Sequence, residues 1–167
     1  MTDRAIFNRK YTEYTPGTIP VWLVNGQGVT TSAASVREFV AGAELVAGSV
    51  VALSGALVIP ASAASGTQEY QQQAIGIATQ AAAQGSGVDV NLDDIVLVGA
   101  GNITAGTELV PGQYYFLSKE EGQLTQFTTS SGTVTAASGY ASLVNLGLAL
   151  STTELHVEVQ APVDLFS

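Results

Sequence analysis

From Leu155 to Gln160 apolar and polar side chains alternate one for one: Leu155, Val157 and Val159 fall on one side, His156, Glu158 and Gln160 on the other. A period of two marks a strand with one buried face. Short apolar runs of the same kind, cut by glycine, recur in GSVVALSGALVIP (48–60), DIVLVGAG (94–101), ELVPGQYYFLS (108–118), GQLTQFTTSSGTVTAAS (122–138) and TELHVEVQAPVDLF (153–166). Glycine-bearing turns succeed one another at roughly eight to twelve residues, the spacing of a sandwich or barrel.

The pattern is written twice. AELVAGSVVALSG (43–55) returns as TELVPGQYYFLSK (107–119), with Glu44, Leu45, Val46, Gly48, Leu53 and Ser54 falling on Glu108, Leu109, Val110, Gly112, Leu117 and Ser118. The later segments keep their order too. After the first copy come QAIGIATQ (73–80), VDVNL (88–92) and DDIVLV (93–98); after the second come LVNLGLALS (143–151), ELHVEV (154–159) and PVDLF (162–166), with Gly76 aligned to Gly147. Order retained while letters drift is the mark of an internal repeat. The expected fold is all-β: two similar small β-sandwich or barrel-like lobes behind an extended N-terminal arm. Residues 1–40 form the arm and a hairpin, 41–104 the first lobe and 105–167 the second.

Two segments pull against this pattern. EYQQQAIGIATQAAAQ (69–84) has the Ala and Gln content of a helix, but its counterpart around Gly147 reads as a packed strand, so residues 73–80 are assigned to a strand. TSAASVREFVAGAEL (31–45) has room for one short helix, with Ser32 or Ser35 as N-cap and Gly42 as its end. Ahead of it VWLVNGQGV (21–29) reads as a strand meeting a tight Asn25-Gly26 turn. Pro16-Gly17 and Pro20 keep the first twenty residues extended.

Composition sharpens the picture. The 167 residues are 46% hydrophobic, with 18 glycines, but only 11% charged, against roughly 25% in an average domain. So little charge points to a surface covered by copies of the same chain. The net charge of -9 speaks against nucleic acid, since few groups could neutralise phosphates. Basic residues collect at the front: Arg4, Arg9, Lys10 and Arg37 precede Glu38, and only Lys119 comes after it. With Phe7, Tyr11, Tyr14 and Trp22 they make the arm the candidate contact region for a capsid or a neighbouring copy. The absence of cysteine rules out disulfides and thiolate chemistry. No apolar run reaches the roughly 18 residues of a membrane-crossing helix, and the first seventeen residues lack the apolar stretch of a secretion signal.

Catalytic chemistry finds little to work with. His156, the only histidine, sits between Glu154 and Glu158 on the polar side of its strand. Asp93-Asp94 and Glu120-Glu121 are sequence neighbours, which point apart on a strand. Asp89, Asn91 and Asp93 begin like a calcium loop, but Asp94 and Ala100 stand where glycine and the closing carboxylate belong. GAGNITAG (99–106) lacks the lysine and following helix of a phosphate loop. No catalytic residue, metal or cofactor is expected. An aromatic platform for sugars is the remaining binding motif, at Tyr114, Tyr115 and Phe116. Alternation turns Tyr115 away from the other two.

AGSVVALSGALVIPASAA…QAIGIATQAAAQGSGVDVNL followed by AGTELVPGQYYFLSKEEGQLTQF…LVNLGLALSTTELHVEV resembles a β module of tailed-bacteriophage virion proteins, the head decoration (capsid cement) and head-fibre type. The likeness covers residues 43–160 and leaves the arm outside. It implies a strand-rich, non-enzymatic homotrimer on the outer capsid surface of the virion, with the major capsid protein as partner. Tail fibres carry similar units, which leaves recognition of host-surface glycans as the alternative, and an enzyme acting on polysaccharide as a more distant one.

Overall fold

A computed structural model describes residues 35–104, 106–127 and 139–165. The described residues are all-β, with 3-10 turns at Glu69–Gln72 and Ala100–Asn102.

The first sheet is a closed five-stranded barrel. Strands β1 (Val36–Ala41), β2 (Val50–Ser54), β3 (Leu57–Pro60), β4 (Ala74–Ala78) and β5 (Gly87–Asn91) pair in the order β1-β3-β2-β4-β5, and β1 closes the ring antiparallel to β5. The seam between β1 and β3 is parallel, Val40 facing Leu57 and Ala41 facing Val58. Five staves enclose little space, so small side chains fill it: Ala41, Val51, Val58, Ala78, Val88 and Val90 form its buried cluster with Leu45 and Ala82.

The second sheet contains β6 (Ile95–Leu97), β11 (Glu154–Val157), β10 (Asn145–Ala149), β7 (Tyr114–Leu117) and β8 (Leu124–Thr125), in that order. Its β7–β10 pairing has the register of β2–β4 in the barrel. Val50 faces Ile77, Val51 faces Gly76 and, after a bulge, Ala52 faces Ala74. In the second sheet Tyr114 faces Leu148, Tyr115 faces Gly147 and, after a bulge, Phe116 faces Asn145. The barrel's parallel seam also has a counterpart in a single parallel bridge between Ile103 and Leu124. There the 3-10 turn Ala100–Asn102 interrupts the stave, so β6 ends at Leu97 and the sheet stays open. A short ribbon of β9 (Ser142–Leu143) and β12 (Val163–Asp164) completes the set.

Gly76 and Gly147 occupy the same place in their sheets for the same reason. A Cβ on Gly76 would run into the Asn91 carbonyl, and one on Gly147 into the His156 carbonyl. Any side chain would force the neighbouring strand away. Gly147 is further held at φ +150°, a region L side chains rarely adopt.

The sheets share one core. Val50, Ala52, Ala61, Ala63, Ala74 and Ile77, on the barrel's outer side, belong to the same buried cluster as Tyr115, Leu117, Leu124, Leu146, Leu155 and Val157 of the second sheet. Polar bonds lock the junction where the β7–β8 turn enters. Val50 N–H donates to the Gly122 carbonyl (2.9 Å) and Gly122 N–H to the Ala61 carbonyl (2.8 Å), which sets the turn residue Gly122 between β2 and the chain leaving β3. The Ser62 hydroxyl donates to the Lys119 carbonyl (2.9 Å), and Ala63 N–H to that of Ser118 (2.9 Å).

The strand assignment for residues 73–80 holds, as β4 covers Ala74–Ala78. The short helix considered for residues 31–45 does not form where the segment is described: residues 36–41 are β1. Val36, Phe39 and Val40 are β-branched or aromatic, and pairing with both β5 and β3 outweighs the local capping signals. All of β1 but Ala41 falls within the stretch read as arm and hairpin, and β6, within the stretch read as first lobe, pairs with β11 of the second sheet.

Candidate functional site

The arm residues singled out for contact, Arg4, Phe7, Arg9, Lys10, Tyr11, Tyr14 and Trp22, lie outside the described residues, as does the Asn25-Gly26 turn. The surface that the structure does define is apolar and lies on the body.

Alternation distributes the aromatic run as expected. Tyr115 points into the core at 2% exposure and its hydroxyl accepts the Val110 N–H at 2.9 Å. Tyr114 and Phe116 point the other way. Tyr114 is 53% exposed, whereas Phe116 is half-buried against Phe127, with ring centroids 5.4 Å apart. Phe127 in turn meets Tyr140 edge-on at 5.2 Å. Of the three rings proposed as a sugar platform, Tyr114 alone is largely open.

Tyr114 starts a row that crosses four strands. It faces Leu148 on β10, Leu148 faces His156 on β11, and His156 faces Ile95 on β6. Ile95 is 48% exposed, and Leu148 and His156 are half-buried. The equivalent row on the barrel is Val50, Ile77, Asn91 and Val36. There Val50, Ile77 and Asn91 are buried, the first two in the core shared with the second sheet. One row is covered within the chain; the other is open.

The mouth of the barrel shows the reverse asymmetry. Phe39, Leu53, Ile75 and Leu92 line a groove of about 610 Å³ together with Tyr70 and residues 159–162. Phe39, Ile75 and Leu92 pack on the barrel core from this end and are only half-buried. At the rim the Arg37 guanidinium lies 5.7 Å above the Phe39 ring, a cation–π contact. In the second sheet the matching positions Val98, Leu117, Leu146 and Val157 are buried and belong to the shared core.

The candidate chemical groups are dispersed. Asn91 Nδ2 donates to the Ile95 carbonyl at 3.1 Å, and Asp94 accepts from its neighbour Ile95 N–H at 2.7 Å, so two members of the acidic stretch serve the β5–β6 connection. Among the described residues no three His, Asp or Glu side chains converge as a metal site would require. No helix among the described residues is long and apolar enough to cross a membrane. Sequence reasoning missed both the row and the mouth. The signal was present in the aligned copies, where Val50 and Tyr114, or Leu53 and Leu117, differ in partner rather than in place.

No known protein-family profile matches the chain, and no curated protein matches it. Among solved structures, the chain is similar to the N base of the head fibre gp8.5 of bacteriophage phi29, at 12% identity and a TM-score of 0.38, over 77% of this chain and 97% of that chain.

Proposed function

We propose that this protein is a non-enzymatic structural component of a tailed-phage virion, built from two copies of one β unit. In this reading it docks as a homotrimer on the outer capsid surface, contacts the major capsid protein and stabilises the head. The observation that carries the reading is structural: the stretches that resemble virion β modules land on the same staves of two sheets with one pairing register, AGSVVALSG on β2 and PGQYYFLSK on β7. Exposed apolar side chains on a weakly charged body add to it, with Tyr114, Ile95, Leu97 and Val163 all open. Surfaces of that kind serve association.

The mechanism is additive. Each copy bridges adjacent shell subunits, and many weak contacts together raise the barrier to opening the shell. The arm supplies the basic and aromatic residues that meet an acidic shell. Titrating purified protein onto expanded heads and weighing them by sedimentation tests this. Saturable binding that increases retention of packaged DNA on heating is expected, and removal of residues 1–20 weakens docking while the body keeps its fold. Heads that take up no protein contradict the capsid role; an arm-less chain that reaches full occupancy contradicts the role of the arm. The sugar-binding alternative loses most of its platform with Tyr115 buried and Phe116 stacked.

A further inference from the structure

Within the described residues the chain joins its two sheets through one apolar core and leaves the corresponding row of the second sheet and the corresponding mouth of the barrel open. Inside the chain, the barrel's outer row, Val50 and Ile77, is covered in the core shared with Leu117, Leu146 and Val157, the closed mouth of the second sheet. The same row on the second sheet, Tyr114, Leu148, His156 and Ile95, is open. The same mouth on the barrel, Leu53, Ile75 and Leu92, is the groove of about 610 Å³. The bulge falls at the same point of both β2–β4 and β7–β10, so the two rows and the two mouths match position for position.

We propose that the barrel mouth of one copy receives the Tyr114–Leu148–His156 row of a second copy, repeating between chains the contact that joins the two sheets within one. The proposal rests on the homo-oligomer reading above and deepens it by naming the faces. Such a contact is head-to-tail: the mouth of each chain meets the row of the next, so it closes into a ring or runs on as a filament. A homotrimer is then a ring of six β units with alternating internal and external joints. The occupants suit each other chemically. Tyr114 presents a broad aromatic face to an apolar floor, and Arg37, on the Phe39 ring at the rim, faces an acidic neighbour, since from Glu38 onward the chain carries one lysine and no arginine.

Head-to-tail contacts have a signature that symmetric ones lack, and it gives the test. Leu53→Glu spoils the mouth and leaves the row intact; Tyr114→Glu spoils the row and leaves the mouth intact. Both sites are exposed, at 37% and 53%, so the fold tolerates the charge, and far-UV circular dichroism verifies it. Arg37→Glu, also exposed, serves as a second mouth variant. Sedimentation velocity of full-length protein should show an oligomer for the wild type and a monomer for each variant, with association weakened by about 30-fold or more. Mixing the Leu53→Glu and Tyr114→Glu variants one to one should yield dimers and nothing larger, each dimer holding the one undamaged pair of faces. Variants that keep the wild-type mass, or a mixture that stays monomeric, overturn these faces and leave the homo-oligomer reading standing. A monomeric wild type overturns both.

Discussion

Gly76 and Gly147 show how one residue type can specify a sheet. Each lies under a carbonyl of the next strand, Asn91 or His156, that leaves no room for a methyl group. Gly147→Ala should lower stability by more than about 2 kcal/mol in a urea titration, with Gly76→Ala behind it, because Gly147 also carries an unfavourable φ. Gly101→Ala is the control: its Cβ would meet nothing within 4 Å, and it should change stability by less than about 0.5 kcal/mol. Equal effects at the three sites would contradict the close approach of the strands as the cause. Tyr115 makes a similar point with a polar atom. Its hydroxyl accepts the Val110 N–H at 2.9 Å at the edge of the core, where Val110 itself is exposed, so Tyr115→Phe removes that bond and should cost about 0.5–1.5 kcal/mol by the same measurement. Part of this was legible in the chain. Alternation alone set Tyr115 apart from Tyr114 and Phe116, without saying which side is buried, and Gly76 aligned with Gly147 before any strand was paired. The bond to Val110 was not legible, because nothing in a sequence shows which backbone group a tyrosine hydroxyl will meet.

Local propensity misleads in two segments, and only one of them had an aligned copy to overrule it. Residues 73–80 have helical propensity, but the aligned copy argued for a strand and β4 formed. Residues 36–41 had no aligned copy to consult, and the capping signals of Ser35 and Gly42 suggested a helix; β1 formed instead, bonded on both sides. Tertiary pairing decides such segments. The aligned copies also hid a difference, since the turn at Ala100–Asn102 interrupts the stave that β1 supplies unbroken in the barrel. The core shared between the sheets makes a further claim at this scale. Ile77→Ala on the barrel and Leu155→Ala on the second sheet should each cost about 2–5 kcal/mol and move the same unfolding transition. Two transitions that shift independently would show that the sheets are separate folding units.

Across the whole molecule, low charge and a basic, aromatic arm pointed to association before any surface was known. The sequence named the arm as the contact region, whereas the described structure offers two faces on the body, the Tyr114 row and the barrel mouth. Burial is a property of pairs of surfaces. A single chain read as a string reports that Val50 and Tyr114 are equivalent, but not that one is covered and the other open. That asymmetry is what makes a second copy a fitting occupant, and it leads to a simple expectation for mass. The most direct test of the account is multi-angle light scattering on the full-length protein across a dilution series. The account predicts the mass of three chains, falling toward one chain only on dilution; a single-chain mass throughout would contradict it.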